Sequence, residues 1–327
     1  MITYCHYPLV PFYVKNGIYR RYLHKFIVTD EVKGFNSSNT LIEKLLSNAC
    51  LLYDSMLRNT IVLTNSEFSK GAIKRLYNND ALILKPPVYV KTFRKVALHS
   101  HEGQREDIIL VVSRFSADKQ IKNAIKVAKI LQEKKVDAKM IIVGNVSRSD
   151  MDYLQLLRNI IDDNDLNTYV KLEVGASFER LLHLMGKSKV YLHPLAGEPF
   201  GISVAEAMAA GLIPIVPHVG GNSEFVPESY HYGTLEQAAE IVRNVLFSYF
   251  NNSYNTDIGY KMAITTSNIA NITEHETRLN LSNLVVKFSN DNFKDALKSV
   301  IATSMTEKDG YVPVPRELFS EPSISRK

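Results

Sequence analysis

Gly197-Glu198-Pro199-Phe200-Gly201-Ile202-Ser203-Val204-Ala205-Glu206-Ala207-Met208-Ala209-Ala210-Gly211 is the stretch around which the rest of the chain is organised. Pro199 and Gly201 open a short helix-forming run, and Gly211 stands where a helix C′ residue is wanted. Residues 212–216 then read as a buried strand. Glu198 therefore falls in a loop at a helix N-terminus, with Glu206 about one turn inside the helix. The unpaired N–H groups there carry roughly half a positive charge. Two carboxylates beside such a helix end suit an anionic ligand that also bears hydroxyl groups. A sugar nucleotide is a ligand of that kind.

Moving outward, strands and helices alternate from residue 107 to residue 250. Strands are expected at 107–112, 138–143, 170–174 and 190–193, with helices at 121–133, 151–161, 178–186 and 235–250. This is the pattern of a parallel α/β sheet. Ligands of open parallel sheets bind outside the carboxyl ends of the strands. Arg114, Lys119, Gly144, Gly175, His193 and Glu198 all fall at that rim. Taken singly, each has an ordinary explanation as an exposed charge, a turn glycine or a loop histidine. Their joint placement beside the two-glutamate helix is what makes them a candidate site. Asp163-Asn164-Asp165 has the form of a metal–nucleotide motif but directly follows a helix, and reads as a polar C-terminal loop. No Gly-X-X-X-X-Gly-Lys-Ser/Thr or Gly-X-Gly-X-X-Gly is present, so a nucleoside triphosphatase or dehydrogenase lacks support.

Residues 1–106 form a smaller α/β part. Strands are expected at 2–6, 59–64 and 81–84, and helices at 39–56 and from the Asn65-Ser66-Glu67 cap to about Tyr77. Of the net charge of +5, this part carries +7, fifteen Lys/Arg against eight Asp/Glu. Residues 11–26 are aromatic and basic together, which suits either a lipid headgroup interface or a packed segment with a wet edge. Peripheral membrane contact through 11–26 is thus one expectation. No basic reading element points to nucleic acid. Two cysteines make neither a disulfide framework nor a zinc site, and no apolar run or signal sequence appears. The expected location is cytoplasmic, with contact at the cytoplasmic membrane face. Residues 303–327, rich in Ser, Pro and charge, predict a mobile tail.

The 198–211 stretch, with Gly220-Gly221 and Glu224 beyond it, resembles the donor site of retaining GT-B glycosyltransferases of family 4. Ser113-Arg114-Phe115 with Lys119 resembles that family's phosphate-binding segment. Ser66-Glu67-Phe68 and Pro86-Pro87-Val88 resemble its interdomain region, and residues 288–294 its terminal helix. His6, in Cys5-His6-Tyr7-Pro8, matches the histidine that the first domain places by the donor sugar. The strand-end His6-Tyr7-Pro8, with Glu198-Pro199-Phe200-Gly201, looks nearest to mannosyltransferases that extend lipid-linked oligosaccharides from GDP-mannose.

The resemblance implies a GT-B fold with a complete Rossmann-like donor domain at 107–250 and a truncated Rossmann-like domain at 1–106. Helices at 251–302 would cross back to the first part. It further implies a hexosyltransferase that uses no metal or other cofactor and takes a nucleotide sugar as co-substrate. The acceptor would be a lipid-linked or other glycan. Arg114 and Lys119 would bind the donor diphosphate, Glu198 the sugar hydroxyls and Glu206 both ribose hydroxyls. The N–H groups of Phe200, Gly201 and Ile202 would add helix-end stabilisation. Catalytic work falls to Glu198, His6, Arg114 and Lys119, and donor binding also to Gly144, Gly175 and His193. Two departures stand out: Asn145-Val146 replaces a frequent second glycine, and the strands that precede the His6 strand in the family are lacking. The alternative is a donor-binding subunit, or a remnant that needs a partner chain.

Overall fold

The computed structural model describes residues 1–8, 48, 52, 55–99, 105–248 and 274–306. The expectations for 11–26, for 251–273 and for most of 39–54 lie outside the described residues. In chain order the elements are β1 (Ile2–Cys5), β2 (Ile61–Thr64), α1 (Glu67–Tyr77), β3 (Leu82–Ile83), α2 (Val90–His99), β4 (Glu106–Val112), α3 (Ile121–Glu133), β5 (Lys139–Gly144), α4 (Met151–Asp163), β6 (Val170–Val174), α5 (Phe178–Lys187), β7 (Ser188–Leu192), α6 (Ile202–Ala209), β8 (Ile213–Pro217), β9 (His231–Tyr232), α7 (Leu235–Ser248), α8 (Glu274–Leu284) and α9 (Asn290–Thr306). They form two compact units.

The first unit is a parallel sheet of order β1-β2-β3. Helix α1 links β2 to β3, and its N-cap Ser66 side chain accepts from the Ser69 N–H. Leu63, Leu84 and Val300 are buried together, with Phe293, Ala296 and Leu297 packed against them. Helix α9 thus lays an i, i+3, i+4, i+7 face on this sheet. Residues 287–306 belong to this unit, whereas α8 belongs to the second. Residues 303–306 complete α9 and are not tail; 307–327 lie outside the described residues.

The second unit is a six-stranded, wholly parallel sheet of order β6-β5-β4-β7-β8-β9. Counted from β4, this is the 3-2-1-4-5-6 order of a doubly wound sheet, whose strand order reverses between β4 and β7. Ile109, Leu110, Val111, Ile142, Val190, Tyr191 and Ile215 are all buried, as strands covered on both faces must be. Helix α3 packs with α7, while α2 packs with α5, α6 and α8. The units divide between Val88 and Tyr89, not at 106. The reason is α2: its Val90, Phe93 and Ala97 are buried, and the Phe93 ring meets Phe178 of α5 edge-on at 5.8 Å.

Candidate functional site

A doubly wound sheet opens a crevice where its strand order reverses, because the connections from the two central strands leave in opposite directions. Here that crevice lies between the segment after β4, which carries Lys119, and the segment after β7, which carries His193 and Glu198. The Glu198 loop also meets a third segment. Glu198 forms a parallel bridge with Gly220, and its carbonyl accepts from the Gly221 N–H at 2.7 Å. Gly220 has φ +140°, and a Cβ there would stand 2.9 Å from the Glu198 carbonyl oxygen. Glycine is required at that close approach.

Lys119, His193 and Glu198 meet in this crevice. The Lys119 Nζ and the His193 Nε2 lie 3.5 Å and 3.6 Å from the same Glu198 Oε2. Lys119 and Glu198 are mostly buried, and His193 more so. Burial pushes the Glu198 carboxyl up, but His193 and then Lys119 outweigh it and hold the group at about 2. Glu198 is therefore an ionised acceptor of hydrogen bonds at any working pH, not a proton donor.

Glu206 differs. It sits on α6, half-buried, with no hydrogen bond or ion pair to its carboxyl among the described residues. Burial pushes it up to about 7. The buried Tyr191 hydroxyl donates to Ser203 Oγ at 2.8 Å. Burial raises its pKa, and the charges of Glu198 and Glu206 add to that.

Helix α6 is held firmly at both ends. Gly201 is its N-cap at φ +93°. At the C-terminus the Gly211 N–H bonds Met208 and the Leu212 N–H bonds Ala207, a Schellman closure with Gly211 at φ +80°. Beyond it, buried Arg105 donates to the carbonyls of Met185, Ser188 and Ala210, each at 2.7 Å. Arg278 donates to Lys189 and Gly211, and Ser282 to Ala209. These cations satisfy helix-end carbonyls and oppose the negative end of the dipole. They position the helix that carries Glu206.

The remaining expected residues fall as follows. Gly144 ends β5, and a Cβ there would come within 1.8 Å of the Ser113 carbonyl oxygen, so the β4 loop crosses directly over it. Gly175, at φ +73°, donates its N–H to Gly144. Phe200 is buried 5.2 Å from the Phe225 ring, while Ile202 is exposed on the first turn of α6. Arg114 is exposed, and its guanidinium lies 3.6 Å from Asp118; the Lys119–Glu198–His193 contact does not include it. His6 belongs to the first unit, exposed after β1, with its ring edge-on to Tyr4. Asp163 ends α4, and Asn164 caps it by donating to Ile160, so Asp163-Asn164-Asp165 is a helix terminus. Among the described residues no group of three or more His, Cys, Asp or Glu is placed to hold a metal, and no helix is long and apolar enough to cross a membrane. Arg105, Arg278, Tyr191 and Asn222 were not expected. Each is noticed only through its burial.

Residues 98–244 match the family model described as glycosyl transferases group 1. The chain is 29% identical over 202 residues to the GDP-Man:Man(3)GlcNAc(2)-PP-Dol alpha-1,2-mannosyltransferase of Dictyostelium discoideum, covering 57% of this chain and 40% of that one. The Homo sapiens protein of the same name is 27% identical over 251 residues, covering 67% and 50%. The chain thus spans half or less of the length of these curated relatives. Among solved structures, sucrose-phosphate synthase from Thermosynechococcus elongatus superposes with a TM-score of 0.64 at 16% identity, covering 93% of this chain and 68% of that one. Anabaena Alr3699/HepE, in complex with UDP and glucose, gives 0.61 at 16% identity, covering 78% and 67%. At those identities the likeness speaks for fold alone.

Proposed function

We propose that this chain, which has the fold of GT-B glycosyltransferases and carries a group 1 glycosyltransferase domain at residues 98–244, transfers a hexose from a nucleoside diphosphate sugar to a glycan acceptor. The observation that carries this reading is the meeting of Lys119, Glu198 and His193 at the reversal point of the sheet, beside the start of α6. Breaking the bond between the anomeric carbon and the diphosphate leaves negative charge on phosphate oxygen. Fixed positive groups facing that charge lower the barrier, often by the largest single amount in a catalysed reaction. Lys119 and the N–H groups at the start of α6 supply them, and this assignment needs no metal. Arg114 joins them once its side chain turns from Asp118 to the diphosphate. Ionised Glu198 accepts from hydroxyls of the sugar. Glu206, with two acceptor oxygens and no competing partner, accepts from the two ribose hydroxyls.

Mannose from GDP-mannose is the finer reading, supported by the printed names of the curated relatives. The printed names also support a lipid-linked acceptor, and the basic, aromatic segment 11–26 supports contact with a membrane face. Retention of anomeric configuration and a role for His6 rest on the family resemblance. The test is a thermal-shift panel of GDP-mannose, UDP-glucose and ADP-glucose. A ligand at a hundred times its Kd stabilises by about 2.7 kcal/mol, so GDP-mannose should raise the melting temperature most. No shift with any of the three would refute donor binding. Binding without transfer to any lipid-linked oligosaccharide would favour a donor-binding subunit over the enzyme.

A further inference from the structure

Two residues by the crevice, His193 and Asn222, have both polar side-chain atoms buried and without a hydrogen-bond partner. His193 is answered electrostatically by Glu198. Asn222 has no such answer. It is wholly buried, in the short turn Gly221–Glu224. A Cβ on Gly220 would stand 2.8 Å from the Asn222 Oδ1 and 2.9 Å from the Glu198 carbonyl oxygen, so the carboxamide lies close by the Glu198 peptide. At the other end of the loop, a Cβ on Gly201 would stand 3.0 Å from the Asn222 Cβ. The side chain is wedged beneath the segment 198–201.

The fold does not call for a carboxamide there. The Asn222 carbonyl accepts from the N–H groups of Phe225 and Val226, which the backbone of any residue provides. A buried amide left unpaired destabilises the folded state, whereas an apolar side chain of similar volume would not. An amide both donates and accepts, as a sugar hydroxyl does, while phosphate oxygen only accepts. The neutral amide therefore matches the sugar half of a donor, and the diphosphate is left to Lys119.

We propose that Asn222 determines specificity for the donor sugar, its carboxamide pairing with a hexose hydroxyl held against Glu198 once the 198–201 loop shifts on binding. This rests on the donor-site reading above. The test is Asn222→Leu, which keeps the branched outline and removes the amide, with the Kd values of GDP and of GDP-mannose measured by calorimetry. The expected result is an unchanged Kd for GDP. The Kd for GDP-mannose should weaken about three- to tenfold, the worth of one neutral hydrogen bond. A merely structural role would move both Kd values together, and that outcome overturns the proposal. So does an unchanged ratio of the two Kd values. Asn222→Ala gives the same ratio if the leucine variant does not fold. Failure of the unsubstituted protein to bind any of GDP-mannose, UDP-glucose and ADP-glucose refutes the donor-site reading itself, and is seen before any variant is made.

Discussion

The half-buried, unpaired Glu206 makes both stability and nucleotide binding depend on pH, in opposite directions. Its carboxyl titrates at about 7 in the folded chain, against an ordinary value of 4.5. Between those values the folded chain holds a proton that the unfolded chain has released. The unfolding free energy therefore falls as pH rises from 4.5 to 7 and is level beyond. At 1.36 kcal/mol per pH unit, ionised Glu206 costs the fold about 3 kcal/mol above pH 7. Binding runs the other way, because a ribose diol donates to the carboxylate and not to the acid. About a tenth of Glu206 is ionised at pH 6 and about nine-tenths at pH 8, so a nucleotide sugar should bind about tenfold more tightly at pH 8. GDP-mannose is the right probe, since its diphosphate is a diester without an ionisation of its own in that window.

Glu206→Gln removes both effects. Calorimetric titration with GDP-mannose at pH 6, 7 and 8 should give a sloping affinity for the unsubstituted protein and a flatter, weaker one for the variant. Urea unfolding should show the variant more stable by less than about 1 kcal/mol at pH 5 and by up to about 3 kcal/mol at pH 8. Other groups that titrate in this range are common to both proteins, so the difference between them isolates Glu206. If the variant keeps the original slope in both measurements, the assignment of Glu206 to the ribose is wrong.

Three further perturbations test separate parts of the structure. Lys119→Ala should lower turnover with a saturating donor on the order of 10²-fold, by analogy with loss of one oxyanion donor, measured as sugar transfer to a lipid-linked acceptor. Gly144→Ala sets a methyl group against the Ser113 carbonyl, where the backbone has no room; the expected loss is about 1–3 kcal/mol or more in urea unfolding. Arg105→Met leaves the carbonyls of Met185, Ser188 and Ala210 without their buried donor. Each orphaned group costs about 1–3 kcal/mol, so this variant should unfold at markedly lower urea, with exposed Lys126→Gln as a mild surface control.

The parts of this molecule that can be read from sequence are those whose signals are local. Helix α3 and strand β6 stand where apolar periodicity puts them, and α6 begins at Gly201 and closes at Gly211 as glycine chemistry dictates. Strand β9 has only two residues and so no period to detect. Helix α2 hides behind Pro86-Pro87, which suggest an ending, although its Val90, Phe93 and Ala97 spacing is helical. The same division runs through the site. Lys119 and Glu198 are found because both follow strands of a parallel sheet, and the 3-2-1-4-5-6 order brings those two strand ends side by side. Arg105 reads as one more surface charge, because its partners lie 80, 83 and 105 residues away. Asn222 reads as an ordinary turn residue until its burial is known. Burial is a property of the folded whole, and the cost of leaving a polar group unpaired arises only there. Residues that touch a ligand at strand ends are thus visible one by one, while those that hold or select from beneath are visible only through the fold.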